Sequence, residues 1–169
     1  MAANTGRTVN RFVNFIIADA SNTLREIPIN TLSVCGVQYE EMDVGAFQDA
    51  VKSALPGMPD APLEIGGPYD TSAAQAASAS GVVPALSGSH TVLSALNGAM
   101  TPRSVDVQVG IRHTWETGEP QFGVTATATS GYIVLSYTPN LDDMTYSAAL
   151  RLYPGSSLPA WGTAAEAAS

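Results

Sequence analysis

The sequence predicts a mainly β, single-domain fold: a β-barrel or sandwich with one flanking helix and a long Ala/Ser-rich loop. Three observations carry that expectation. First, apolar and polar residues alternate through the second half of the chain. Val105, Val107, Val109 and Ile111 alternate with Asp106, Gln108, Gly110 and Arg112. Phe122, Val124, Ala126 and Ala128 are set against Thr125, Thr127 and Thr129, and Met144, Tyr146, Ala148, Leu150 and Leu152 against Thr145, Ser147, Ala149 and Arg151. A period of two sends one set of side chains to a core and the other to water or a partner. Second, the clearest helical stripe is confined to 47–55. Third, 169 residues suit one domain that buries its core without metal or disulfide staples.

Taken in order, the polar residues 1–10 read as a flexible arm, 11–153 as the β domain and 154–169 as a C-terminal tail. Phe12 to Ile17 forms a first strand, and Asp19-Ala20-Ser21-Asn22 a turn, since Asp, Asn and Ser bond their own backbone. Residues 24–28 and 32–43 are extended, the second segment bent at Gly36. Phe47, Ala50, Val51 and Ala54 share one helical face, and Pro56-Gly57 stops that helix. Leu63, Ile65, Gly67 and Tyr69 mark a strand running to Asp70. The loop 71–88 is too poor in large apolar groups to pack alone; loops of this length bind something or become ordered on assembly. Ser89 caps a short helix through Leu96, which Asn97-Gly98 ends. Strands 104–113, 122–129, 131–138 and 144–153 follow as a meander, with a turn at 140–143.

Composition excludes several functions. Charged residues make up only 13% of the chain, as in a subunit that hides much of its surface in neighbours. The net charge is -8, with one lysine, Lys52, and six scattered arginines. Specific nucleic-acid binding needs clustered positive charge, so none is expected. An acidic surface instead keeps DNA from sticking. The lone Cys35 rules out an internal disulfide and reads as a small buried hydrophobe. The apolar run Phe12–Ala18 is too short for a signal peptide, is broken by Asn14 and ends at Asp19. No stretch is long enough to cross a bilayer, so synthesis in a cytoplasm is expected and no membrane partner.

The reactive residues do not gather into a site. His90 and His113 lack Cys or His neighbours at ligand spacing, so no metal is expected. A triad of Ser89, His113 and Asp106 is available on paper, but no Gly-x-Ser-x-Gly elbow accompanies it. Glu40, Glu41 and Asp43 lie where a strand hands over to the 47–55 helix, with Asp43 as its cap. Asp142 and Asp143 form a turn, not a calcium loop or a glycosidase pair. No catalytic residue and no cofactor is expected: the chain reads as a building block, not an enzyme. Trp115, at a strand end, reads as core. Trp161, in the Pro-flanked tail, reads as an intersubunit or an intramolecular anchor, because a tail tryptophan becomes ordered only on finding a pocket. Trp161, Pro159, Leu158 and His90 are the candidate assembly contacts. A binding module offers an alternative, a carbohydrate-binding β-sandwich that uses Trp115 and Tyr132 as a stacking platform.

Several stretches together carry a resemblance. They are Asp19-Ala20-Ser21-Asn22-Thr23-Leu24-Arg25-Glu26-Ile27, Glu41-Met42-Asp43-Val44, Pro56-Gly57-Met58-Pro59-Asp60-Ala61-Pro62-Leu63-Glu64-Ile65, Gly67-Pro68-Tyr69-Asp70 and Ser87-Gly88-Ser89-His90-Thr91-Val92-Leu93. Their order resembles tailed-bacteriophage virion structural proteins of the tail-tube-like β-barrel type, over about the first two-thirds of the chain. The Ala/Ser-rich loop and the Pro154–Thr163 tail depart from that pattern. The resemblance implies a barrel with a flanking helix that assembles side by side. In tail tubes such subunits form stacked six-membered rings around an acidic bore that DNA passes through. In the related head decoration (cement) proteins the same barrel sits on the capsid. The partners implied are copies of the chain and other virion proteins, tail or major capsid protein, in a virion made in a bacterial host.

Overall fold

The computed structural model describes residues 13–45, 54–76, 84–110 and 118–163. Twelve strands and one helix occupy them. In chain order these are β1 (Val13–Ala18), β2 (Leu24–Ile27), β3 (Thr31–Val34), β4 (Gln38–Asp43), β5 (Ala54–Asp60), β6 (Leu63–Pro68), β7 (Ala85–Leu86), α1 (Ser89–Leu96), β8 (Val105–Val109), β9 (Pro120–Val124), β10 (Tyr132–Asn140), β11 (Thr145–Leu152) and β12 (Ala160–Thr163).

They form three sheets. Six strands run in the order β12-β9-β8-β1-β2-β7, four in the order β10-β11-β6-β3, and β4 pairs only with β5. All pairs are antiparallel except β2 with β7. The two larger sheets share one core. Phe15, Ile17, Val105, Val107 and Phe122 contribute from the first, Ile65, Val134, Tyr146 and Leu150 from the second. The alternation read from sequence accounts for this, since every second residue of β8 and β11 points into the same apolar layer. Among the described residues no barrel closes, and the two larger sheets face one another across that core.

The helix predicted at 89–96 is present and buries Val92, Leu93 and Leu96. Its cap is not Ser89. Gly88 takes the N-cap position with no side-chain hydrogen bond. The Ser89 hydroxyl donates to the Pro68 carbonyl at 2.9 Å and accepts from the Asp70 N–H at 3.2 Å, tying the helix to the end of β6. A Cβ at Gly88 would lie 2.6 Å from both the Asp70 carbonyl oxygen and the Ser72 nitrogen, so this approach requires glycine. Gly98, at φ +75°, ends the helix as expected.

Other expectations meet a different outcome. The helix at 47–55 lies mostly outside the described residues, and its last two positions, Ala54 and Leu55, open strand β5. Asp43 ends strand β4 and accepts a hydrogen bond from Gly45 N–H at 3.0 Å; the helix it was expected to cap lies mostly outside the described residues. The segment read as a tail contributes β12, which extends the six-stranded sheet beside β9. Of the long loop, 77–83 lies outside the described residues, while Ala85–Leu86 adds a short parallel strand to β2. Among the described residues no helix is long and apolar enough to cross a membrane.

Candidate assembly interface

Strands β3 and β6 pair within the four-stranded sheet through Leu32 with Ile65 and Val34 with Glu64. The same two chain segments then pair again as β4 and β5, from Gln38 with Asp60 to Asp43 with Ala54. Between the two ladders lie Cys35–Val37 on one side and Ala61–Pro62 on the other. The result is a long hairpin with an elbow, whose outer half is a two-stranded ribbon. Every residue of β4 is exposed.

This ribbon is apolar where a solvated hairpin would be polar. Met42 and Leu55 stand opposite each other and are 54% and 57% exposed. Met58, beside the register break, is 81% exposed and Tyr39 56%. A Cβ at Gly57 would lie 3.1 Å from the Met42 side chain, so that side chain folds across the space this glycine leaves. Carboxylates of Glu40, Glu41, Asp43 and Asp60 accompany the apolar group. Single exposed apolar residues are ordinary, but several on one small element mark an interaction surface.

The second exposed apolar feature is the β12 edge. Trp161 faces Phe122 across the β12–β9 pair, with ring centroids 5.1 Å apart and planes at 45°. Phe122 is fully buried, whereas Trp161 is 55% exposed. The indole therefore prolongs the core past the end of its sheet and stands half in solvent. Leu158 is exposed beside it, and Pro159 is buried. A hydroxyl cluster fixes the approach to this strand. Ser130 Oγ lies 3.1 Å from Ser156 Oγ and 2.5 Å from Ser157 Oγ, and Ser156 Oγ accepts from the Gly131 N–H at 2.9 Å.

His90 stands apart from these residues, on the first turn of α1. Its ring lies between Tyr69 and Tyr137, with centroids 5.0 and 5.8 Å away, and Nδ1 is 3.1 Å from the Tyr137 hydroxyl. Of the four predicted contacts, Trp161, Leu158 and Pro159 thus share one edge, and His90 belongs to an aromatic group at the helix start. Sequence reasoning missed the ribbon. The sequence reading makes 32–43 extended, as found for Met42, but assigns Leu55 to a helix that Pro56-Gly57 stops, which hides the pairing of the two segments.

Among the described residues no three His, Cys, Asp or Glu side chains gather as metal ligands. Burial raises the Cys35 thiol to about 11, which keeps it protonated and unreactive at neutral pH. The Ser89 hydroxyl is committed to backbone, and His113 lies outside the described residues. Tyr132 is fully buried, with its hydroxyl on the Ala61 carbonyl at 2.9 Å, which removes it as a sugar-stacking platform. Trp115, the other half of that platform, lies outside the described residues.

No protein-family model matches the chain, and no curated protein matches its sequence. Solved structures do share its fold. One is a chain of an extracellular contractile injection system, described as the PVC sheath/tube terminator in the extended state. It aligns at TM-score 0.53 and 12% identity, over 95% of this chain and 99% of that one. A chain of the PVC sheath-tube complex in the extended state aligns at 0.53 and 10% identity, over 95% and 94%. A chain of the anti-feeding prophage cap, described as a tube terminating cap, aligns at 0.51 and 11% identity, over 97% and 95%. At these identities the likeness is one of fold, and it extends over nearly the full length of each chain.

Proposed function

We propose that this chain is a non-enzymatic structural subunit of a phage-like tail, a tail-tube-like protein that assembles with copies of itself and with neighbouring tail proteins. The observation that carries the reading is the projecting β4–β5 ribbon, with Met42, Leu55 and Met58 exposed on an element that packs chiefly on itself. A ribbon on one part of the surface and an open β12 edge on another suit a heterologous contact. Such a contact repeats around a ring when its rotation closes and along a filament when it does not. The fold likeness to tube and terminator chains supports the same role. The scarcity of charge, 13% of residues, fits a subunit largely covered by its neighbours.

A second reading, a ring that ends the tube, is favoured by two of the similar structures, described as a sheath/tube terminator and a tube terminating cap. Negative-stain electron microscopy of the purified chain over a range of concentrations tests both. Stacked rings or tubes are expected for a tube subunit, and discrete unstacked rings for a terminator. A monomer at every concentration refutes both.

A further inference from the structure

We infer that Tyr132 is a positioning residue: its buried hydroxyl sets the direction in which the β4–β5 ribbon leaves the body of the molecule. The two sides of the elbow are held differently. On the β3–β4 side Gly36, at φ +135°, has nothing within 4 Å of the place a Cβ would take, and its neighbours Cys35 and Val37 pack, partly buried, against the core. On the β5–β6 side Ala61 is fully buried. Its carbonyl oxygen accepts the Tyr132 hydroxyl at 2.9 Å, across 71 residues of sequence. Its N–H donates to Asp60 Oδ1 at 2.8 Å. Both polar groups of Ala61 are thereby satisfied at the point where the ribbon begins.

The anchor itself is fixed. The Tyr132 N–H donates to the Arg103 carbonyl at 2.9 Å and the Arg103 N–H to the Tyr132 carbonyl at 2.7 Å. Tyr132 also pairs with Leu152 in the sheet. Gly131, at φ +137°, allows the close passage of Arg103, whose carbonyl oxygen would stand 2.9 Å from a Cβ. The phenol is a rigid strut from the core to the elbow. A ribbon held in this way meets a partner already ordered, and association then loses less conformational entropy.

The test is amide hydrogen exchange on the full chain carrying Tyr132→Phe, with Tyr146→Phe as its control. Tyr146 donates a similar bond, to the Pro28 carbonyl at 2.9 Å, away from the elbow. Losing one buried hydrogen bond accelerates local opening by roughly fivefold or more. The expected result is such an acceleration across 38–43 and 54–60 in Tyr132→Phe, beyond any change in β1 and β8, and none specific to the ribbon in Tyr146→Phe. Equal ribbon exchange in the two variants overturns the inference. Pro62→Gly covers the case in which Tyr132→Phe does not fold, because it adds backbone freedom at the elbow and keeps the strut. Unchanged ribbon exchange in Pro62→Gly is expected, and acceleration there assigns the direction to chain stiffness instead. These outcomes are independent of ring formation: a chain that never assembles refutes the proposed function and leaves the exchange result standing.

Discussion

Two aspartates show how opposite local settings act on the same side chain. Burial works to raise the pKa of Asp19, but it is outweighed by the Arg25 guanidinium, with Nε at 2.9 Å from Oδ2, and by the Thr23 and Ser21 N–H groups. The carboxyl therefore titrates below the usual aspartate range. Asp106 is dominated by burial, which raises it despite a hydrogen bond from Gln121. The linkage signs differ accordingly. Asp19 stabilises the fold above its unfolded pKa, and that contribution disappears as pH falls through the depressed folded value. Asp106 binds its proton more tightly when folded, so it costs stability as pH rises from the ordinary carboxylate range through its raised value. Asp19→Asn is expected to lower the urea midpoint at pH 7 and to flatten the acid limb. Asp106→Asn is expected to raise the midpoint at pH 7 and to lose that advantage near pH 3. Urea titrations at the two pH values check the pair, and an Asp106→Asn midpoint that is lower at both sinks the argument for burial.

At the scale of elements, legibility followed the range of the forces involved. Strands β8 and β11 declared themselves because burial on one face imposes its period directly on neighbouring residues, and helix α1 through its local stop at Asn97-Gly98. Strand β5 did not. Its Ala-Leu-Pro-Gly-Met-Pro-Asp run contains two prolines and a glycine, the local chemistry of a helix stop, and only pairing with β4 makes it extended. Strand β12 was hidden for a related reason: Ala160-Trp161-Gly162-Thr163 offers one large apolar residue, and its strand character comes from β9. That pairing determines what removal of the tail should do. Truncation after Ser157 uncovers both Phe122 and the β9 edge, so a lower melting temperature is expected alongside weaker assembly. The Trp161→Ala substitution is milder. It keeps the β12 backbone, so the far-UV circular dichroism should hold while ring formation moves to higher protein concentration. Loss of strand signal would assign Trp161 to the core.

For the whole molecule, the sandwich and the assembly surface are separable. The core draws on both large sheets and α1, whereas the ribbon lies beyond the elbow. Replacing Met42, Leu55 and Met58 together by serine should leave the thermal unfolding transition within a few degrees of the parent, because side chains this exposed contribute little to folding. The same variant should stay monomeric by sedimentation velocity at concentrations where the proposed rings of the parent would form; assembly at parental concentrations would move the interface elsewhere. The tail Trp161 was legible in sequence as a contact because a large indole in a Pro-flanked segment needs a seat. The ribbon was not, since its exposure is a property of the folded elbow. Pro56 and Pro59 have one more implication, which concerns valence. Neither supplies an N–H, so β5 carries fewer backbone donors than β4, whose alternate residues are already turned toward β5 in the ladder. A ribbon open on both sides would recruit strands in either direction, the geometry of uncontrolled aggregation. In the proposed assembly, the β4 side would be the better template for a further strand, which limits the number of neighbours one ribbon can take.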